Sequence, residues 1–390
     1  MTRRRFSTGK HVGSYSGGVL AGSYASAARR TESMGPMRVV VTIQHPAHVH
    51  FYRHTIADLE REGHEVRVFV RENEVAVDLL ETYGVDHTVL VGESDSLASL
   101  ARTQFTYERL LYRHAKPFDP DVLTCIGGVA VAHVASLLGA KSVAFTDTEH
   151  ATIVNALTAP FADVICTPEC FGYDIGPKQR RYPGYHELAY LHPDRFDPDP
   201  SVLADAGFGP DDRFVVLRVS SWDSSHDVGQ GGFSNVSDVV ERIEATGARV
   251  VVTSEVPLPA DLEDRRMTVA PHRIHDLLAY ADCFVGEGAT MAAESAVLGT
   301  PAVYVNSLSM GYTDELDWKY GLLSNFQGPD RHERGLERAV SILDGSLTAD
   351  WDARRERLLA DRIDVTGFVV DTLLDVGREE SVDPISIPVP

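Results

Sequence analysis

Gly286-Glu287-Gly288-Ala289-Thr290-Met291-Ala292-Ala293-Glu294-Ser295-Ala296-Val297-Leu298-Gly299-Thr300-Pro301-Ala302-Val303-Tyr304-Val305-Asn306 decides how the rest of the chain is read. Apolar Cys283-Phe284-Val285 leads in as a short strand, and the glycines make a sharp turn. A helix of small residues then runs to Gly299, which suits a left-handed C-terminal position. Pro301 forbids continuation, and Ala302 to Val305 reads as the next buried strand. A helix that starts at a glycine turn on the carboxyl edge of a parallel sheet directs backbone N–H groups, and the positive end of its dipole, at whatever lies there. Gly288, Thr290 and Met291 are the candidates to line such a site, and a diphosphate is its natural occupant.

Glu294 lies four residues after Thr290, on the same helix face and one turn deeper. A carboxylate there can accept two hydrogen bonds from a ribose diol. A capping box would need the acid three residues after Thr290, where Ala293 stands. The competing reading is an ordinary solvated helix glutamate.

At 390 residues the chain exceeds what one core usually supports, so two domains of comparable size are expected. No apolar run approaches the roughly 20 residues of a membrane span. Residues 1–36 stand apart, with Arg3-Arg4-Arg5, Arg29-Arg30 and a Gly/Ser/Tyr/Ala tract that cannot build a core. Arg4-Arg5-Phe6 invites a twin-arginine reading, but the tract that follows is too weakly apolar for an export signal; a start at Met37, directly before the first strand, is the expectation. The formal net charge is −21; six basic residues and one acid lie in residues 1–36, so the remainder has 30 basic and 56 acidic residues and a net charge of −26. With only five lysines, this is an acid-coated surface suited to high salt, and it repels nucleic acid and anionic lipid. Cys125, Cys166, Cys170 and Cys283 mostly fall inside apolar strands, and no second Cys/His pair completes a zinc site, so reduced thiols in a cytoplasmic protein are expected.

In the first half, strand Arg38 to Ile43 ends in Gln44-His45-Pro46-Ala47-His48-Val49-His50-Phe51, read as a loop before a helix that stops at Gly63. Three histidines at the carboxyl end of a strand occupy the edge where ligands bind in parallel sheets. His48 and His50 do not share one helix face, so a single acid/base or hydrogen-bonding histidine is a better reading than a metal site. Alternating strands and helices continue through Asp121 to Ile126, Gly127-Gly128 and Ser142 to Phe145, which means a parallel sheet with helices on both faces. Asp147 and Glu149, in Thr146-Asp147-Thr148-Glu149-His150, then stand at the same edge and could orient a polar acceptor; solvated loop acids are the alternative. Asp163 to Cys166 is expected to close this sheet.

The stretch 186–212, with Pro193, Pro198, Pro200 and Pro210, reads as a semi-rigid crossover. Phe214 to Val219 starts a second sheet, whose edge loop brings Arg218, Ser220 and His226 toward a phosphate. Asp223 and Asp227 in the same loop suit a phosphate badly; Asp223, His226 and Asp227 could instead hold a metal, without a fourth donor to complete it. Strands Arg249 to Thr253 and Met267 to Ala270 precede the opening stretch, Tyr320-Gly321-Leu322-Leu323 begins the last strand, and Val365 to Val376 is apolar enough to return across the first domain. The expected organisation is an extension over 1–36, a first Rossmann-like domain over 37–185, a linker over 186–212, a second Rossmann-like domain over 213–362 and a returning helix and tail over 363–390.

Two segments resemble glycosyltransferases of the GT-B fold, in particular the peptidoglycan N-acetylglucosaminyltransferase: His48-Val49 through Gly63 to Val66-Arg67, and Gly288-Ala289 with Glu294, Gly299 and Pro301. More closely, His45-Pro46-Ala47-His48-Val49-His50, Gly184-Tyr185-His186-Glu187-Leu188-Ala189-Tyr190-Leu191-His192-Pro193, Ser225-His226-Asp227 and Thr290-Met291-Ala292-Ala293-Glu294 resemble a family known only as a domain of unknown function, whose members are described as predicted glycosyltransferases. The resemblance implies an α/β chain with two doubly wound Rossmann-like domains facing across a cleft. It implies a nucleotide sugar, most often UDP-linked, on the second domain, with Glu294 on the ribose and Thr290 near the phosphates, and no further cofactor or metal. It also implies an acceptor, which could be lipid-linked and draw the chain to a membrane surface, on the first domain, with His48 as base or as donor to the leaving diphosphate. Rivals are a UDP-N-acetylglucosamine 2-epimerase-like isomerase or hydrolase, which shares the fold and a similar Gly/Glu motif, and a non-catalytic nucleotide-sugar-binding subunit.

Overall fold

Strand β1 (Arg38–Ile43) is apolar at four of its positions, and Val39, Val40, Val41 and Ile43 are wholly buried. Such a run needs cover on both sheet faces, which only a parallel sheet with crossover helices supplies. The computed structural model, which describes residues 35–71, 73–91, 97–219, 236–254 and 257–379, has that arrangement twice. The first sheet contains β1, β2 (Glu65–Arg71), β3 (His87–Val91), β4 (Val122–Ile126), β5 (Lys141–Phe145), β6 (Val164–Pro168) and β7 (Gln179–Tyr182), in the order β3-β2-β1-β4-β5-β6-β7. The second contains β8 (Phe214–Val219), β9 (Arg249–Ser254), β10 (Cys283–Gly286), β11 (Ala302–Val305) and β12 (Leu323–Phe326), in the order β12-β11-β10-β8-β9. Every paired strand in both runs parallel to its neighbour. This is the expected α/β class of two doubly wound Rossmann-like sheets. The order reverses between β1 and β4 and again between β8 and β10, so each sheet has a crevice at its carboxyl edge.

Local details depart from the sequence reading where side chains gave little signal. β7, Gln179-Arg180-Arg181-Tyr182, closes the first sheet beyond β6; its polar residues blunt an edge strand and hide it from a hydrophobic pattern. Met267 to Ala270 forms no strand, and a single bridge between Val252 and Arg266 is all that joins it to β9. The expected loop after β1 is already helix, because Pro46 fits the first helical position and His45 caps it by accepting from Ala47 N–H at 3.2 Å. Val49, Tyr52, Ile56 and Leu59 fall on one face of this Pro46–Arg61 helix and are buried.

The two sheets share a junction. Tyr185, Leu188, Ala189, Tyr190 and Leu191 are each at most 2% exposed, so the crossover begins as core. The His186–Ala189 turn packs against both the Pro46–Arg61 helix and the Ala289–Leu298 helix of the second sheet. The last helix, Val365–Arg378, returns to the first sheet, where it lies on the Pro46–Arg61 helix, β4 and β5, and Thr366 Oγ1 donates to Ala189 O at 2.6 Å. Arg195 joins Asp58 at 2.9 Å and Asp364 at 2.6 Å, while Arg362 reaches Glu315 at 2.6 Å and Tyr185 donates its hydroxyl to the same carboxylate.

Glu149 Oε1 accepts from Gly172 N–H and Gly311 N–H, each at 3.0 Å, and so ties the β5 loop to the segment after β11. A Cβ on Gly311 would stand 2.0 Å from the Cys170 carbonyl oxygen and 2.8 Å from Glu149 Oε1. Backbone cannot swing aside as a side chain can. Gly311→Ala is therefore expected to cost about 1–3 kcal/mol and lower the melting temperature by several degrees in a thermal scan, with both sheets retained by circular dichroism. An unchanged melting temperature would show that this junction can separate without loss.

Candidate functional site

On the second sheet, β8 and β10 part at the switch point, and β10 runs through Glu287 into the Ala289–Leu298 helix. Gly286 sits where a Cβ would meet Arg218 Cβ at 2.7 Å, and Asn306 Nδ2 donates to Glu287 O at 2.8 Å, which fixes the turn. Gly288 is the N-cap and no side chain caps the helix. Gly288, Ala289, Thr290 and Met291 are only part-buried, so the first-turn N–H groups lie at the crevice, where helix geometry leaves them without intrahelical acceptors. Gly299, in the left-handed region at φ 87°, ends the helix before Pro301. Arg218, at the end of β8, borders the turn and donates to Thr253 Oγ1 at 3.0 Å. Ser220 and His226, with Asp223 and Asp227, lie outside the described residues.

Glu294 is 4% exposed, which rules out a solvated surface glutamate. Its Oε1 accepts from Tyr190 Oη at 2.7 Å and pairs with His275 Nε2 at 2.9 Å. Tyr190 comes from the crossover, so this carboxylate is held in part from outside its own sheet. His50, which turns away from His48 along its helix, stacks edge-on against His275 with ring centres 4.6 Å apart and lies 5.5 Å from the Tyr190 ring. Burial first, then the neighbouring His275, push the His50 pKa well below 6.5.

On the first sheet, His48 occupies the first helical turn. Its Nδ1 accepts from Gln44 N–H at 3.4 Å, which puts the ring proton on Nε2 because a backbone N–H can only donate. Desolvation, followed by repulsion from His45 and His186 and opposed by Asp147, lowers its pKa to about 3. His48 is thus neutral at any ordinary pH. Asp147, two residues past β5, takes the His186 Nδ1 proton on Oδ2 at 2.9 Å and the Thr148 hydroxyl on Oδ1 at 2.9 Å. Burial raises its pKa, but His186 and Thr148 outweigh that and leave it below the usual carboxylate value. Glu149 is engaged at the junction as described, with its pKa raised by burial against the bonds it receives.

Two polar side chains that sequence reading assigned to a linker sit beside this group. His186 is 8% and Glu187 2% exposed, and His186 Nε2 and Glu187 Oε2 are buried without a hydrogen-bond partner among the described residues. Burial first, and then the Asp147 and Glu294 charges, hold the Glu187 carboxyl well above its ordinary 4.5. The signal that could have found them is the apolar run Tyr185, Leu188, Ala189 and Leu191 around a His-Glu pair, which is how a buried polar pair looks in sequence. The neighbouring prolines drew attention to a linker instead.

Fold and site together define a two-lobed α/β protein of the GT-B kind, with a helix N-terminus on one lobe and an imidazole-carboxylate group on the other. The family model described as "Protein of unknown function (DUF354)" matches residues 37–314, and the chain belongs to that family. An uncharacterised protein of Methanocaldococcus jannaschii is 25% identical over 296 residues, 68% of this chain and 80% of its own length. Among solved structures, the glycosyltransferase VinC in complex with dTDP superposes with a TM-score of 0.59 at 16% identity, covering 87% of this chain and 99% of VinC. UDP-GlcNAc 2-epimerase from Neisseria meningitidis, bound to UDP-GlcNAc, superposes with a TM-score of 0.61 at 10% identity, covering 87% of this chain and 100% of the epimerase. These likenesses are of fold. No helix among the described residues is long and apolar enough to cross a membrane.

The part-buried His48 ring makes stability pH-dependent. Its folded pKa lies below the unfolded value, so the unfolded chain binds the proton first, and stability present above 6.5 is lost as pH falls toward 3. Acidifying to about pH 5 is expected to remove about 1–2 kcal/mol through this ring, discounted for its part exposure. His48→Gln should keep that amount, so chemical denaturation of wild type and variant at about pH 7 and pH 5 is the check. Equal losses in both would mean that the ring is solvated in the folded chain.

Proposed function

We propose that the chain is an enzyme that binds a nucleoside diphosphate sugar, UDP- or dTDP-linked, in the cleft between its lobes and transfers the sugar with inversion to an acceptor hydroxyl. The observation that carries the reading is the uncapped Ala289–Leu298 helix N-terminus at the β8/β10 switch point, bordered by Arg218. Aligned N–H groups and a guanidinium favour a diphosphate and stabilise the charge that grows on it as it leaves, without requiring a metal. Glu294, one turn deeper, meets the ribose with the carboxylate oxygen that Tyr190 and His275 do not use. The dTDP and the UDP-GlcNAc named with VinC and the Neisseria epimerase support the ligand class.

An epimerase or hydrolase reading is favoured by a different observation, the gathering of Asp147, Glu149 and Glu187 on the first lobe, since sugar epimerisation needs acids in more than one protonation state. Incubation with UDP-GlcNAc and a panel of other nucleotide sugars without acceptor separates the readings. Slow release of UDP with the sugar freed as the inverted anomer, water standing in for the acceptor, supports transfer. A 2-epimerised sugar supports the epimerase, and binding without turnover supports a non-catalytic subunit.

UDP or dTDP at about 100 times its dissociation constant should stabilise the chain by about 2.7 kcal/mol in a thermal-shift assay, and no shift with UDP, dTDP, GDP or CDP would remove the nucleotide reading. Glu294→Gln, which keeps the bonds from Tyr190 and His275 but loses the charge, is expected to weaken UDP binding by about 1.5–3 kcal/mol while the fold is kept. Calorimetric titration of both proteins tests this, and equal affinities would leave Glu294 as a junction residue alone.

A further inference from the structure

We propose that His186, oriented by Asp147, is the base that takes the proton from the attacking hydroxyl, and that His48 beside it acts only as a hydrogen-bond donor. The assignment rests on the nucleotide-sugar reading above and adds the proton acceptor that reading needs.

The tautomers carry the argument. Asp147 Oδ2 lies 2.9 Å from His186 Nδ1, and an ionised carboxylate only accepts, so Nδ1 bears the hydrogen and Nε2 the lone pair. That Nε2 is buried with no partner among the described residues, a state that costs free energy unless a donor arrives. His48 is wired the other way, with Nδ1 accepting from Gln44 N–H and its proton on Nε2. One imidazole is set to accept and its neighbour to donate.

The surroundings hold that polarity. The Phe51 ring meets His186 edge-on with centres 4.8 Å apart, which limits rotation of the imidazole. Among the described residues, His48, on the Pro46–Arg61 helix, and Asp147, after β5, face it from neighbouring elements, Glu187 is its neighbour in the chain, and Tyr182 and Tyr312 lie beside Asp147 and Glu187. An imidazolium formed at His186 gains the Asp147 carboxylate, whereas one formed at His48 meets His45 and His186.

The step balances as follows. The acceptor O–H bond breaks and its proton goes to His186 Nε2, while the oxygen forms a bond to the anomeric carbon. The bond from that carbon to the diphosphate oxygen breaks, and its electron pair stays on the nucleoside diphosphate, where the helix N–H groups and Arg218 receive the charge. The proton leaves His186 Nε2 with the departing products. The pair is absent from expectations based on the first-strand histidines, because it joins a strand end to the crossover.

The test uses the full chain, UDP and UDP-GlcNAc. Calorimetry of wild type, His186→Gln, Asp147→Asn and His48→Gln with UDP comes first: affinities within about twofold are expected, since the nucleotide sits on the other lobe. If the wild type binds neither UDP nor dTDP, the nucleotide reading fails, whatever His186 does. UDP release from UDP-GlcNAc, with water as acceptor, is then followed against pH. Wild-type kcat/KM should fall on acidification, and His186→Gln should lower turnover by roughly a hundredfold to ten-thousandfold and abolish that acidic limb. His48→Gln should slow release and keep the limb. Nitrogen-resolved histidine NMR adds a ligand-free readout, with His186 protonated on Nδ1 in the wild type and its preference for that tautomer weakened in Asp147→Asn. An acidic limb that survives His186→Gln, a limb lost with His48→Gln, an Nε2–H tautomer at His186, or UDP binding with no wild-type turnover would each overturn the assignment.

Discussion

The short run from Gly184 to Leu191 has to be interior to both sheets at once, and much else in the molecule follows from that. A Cβ on Gly184 would stand 2.5 Å from Val365 Cγ2, so the chain there leaves no room between the crossover and the returning helix. Tyr185 and Tyr190 send their hydroxyls to carboxylates of the second lobe, Glu315 and Glu294, while Leu188 and Ala189 fill the space under the Pro46–Arg61 helix. Burying tyrosine with its hydroxyl bonded to a carboxylate secures orientation as well as area. The cleft is consequently framed by a packed wedge, with Glu149 and Gly311 forming a second point of attachment.

Much of the second-lobe candidate site was legible because glycine, small residues and proline act locally. Gly288, Gly299 and Pro301 mark the start and end of the Ala289–Leu298 helix through backbone conformation alone, and both ends lie where those residues put them. The apolar strands were equally plain. β7 is not, because its arginines are those of an edge, and the helix start is hidden because Pro46 serves equally as a loop restraint and as a first helical residue; His48 and His50 nonetheless meet different neighbours, as their spacing indicates. His186 and Glu187 stayed hidden for a different reason: what makes them chemically interesting is burial contributed by elements far away in sequence, which no local pattern records.

Electrostatically the two edges of the cleft are opposites. The Ala289–Leu298 helix brings the positive end of its dipole beside Arg218, in a chain that is otherwise strongly acidic. The first lobe gathers groups whose charges burial has redistributed: an ionised Asp147, a neutral His48 and a Glu187 whose carboxyl burial pushes well up stand close together. Such a set maintains its protonation pattern only while water is kept out, which links the chemistry of the group to the wedge that covers it.

The return of the Val365–Arg378 helix to the first sheet bears on how the chain is made. Met37 and Val122 lie directly against Gly377, so one flank of the first lobe stays uncovered until the far end of the polypeptide has been synthesised. At ribosomal rates the roughly 180 residues between Tyr182 and Val365 take about 10–40 s to emerge. Through that interval β4, β5 and the Pro46–Arg61 helix expose apolar surface that the finished molecule hides. The second lobe, whose sheet and helices are contiguous in sequence, can consolidate first, so the order of assembly on the ribosome need not follow the order of the genes' codons.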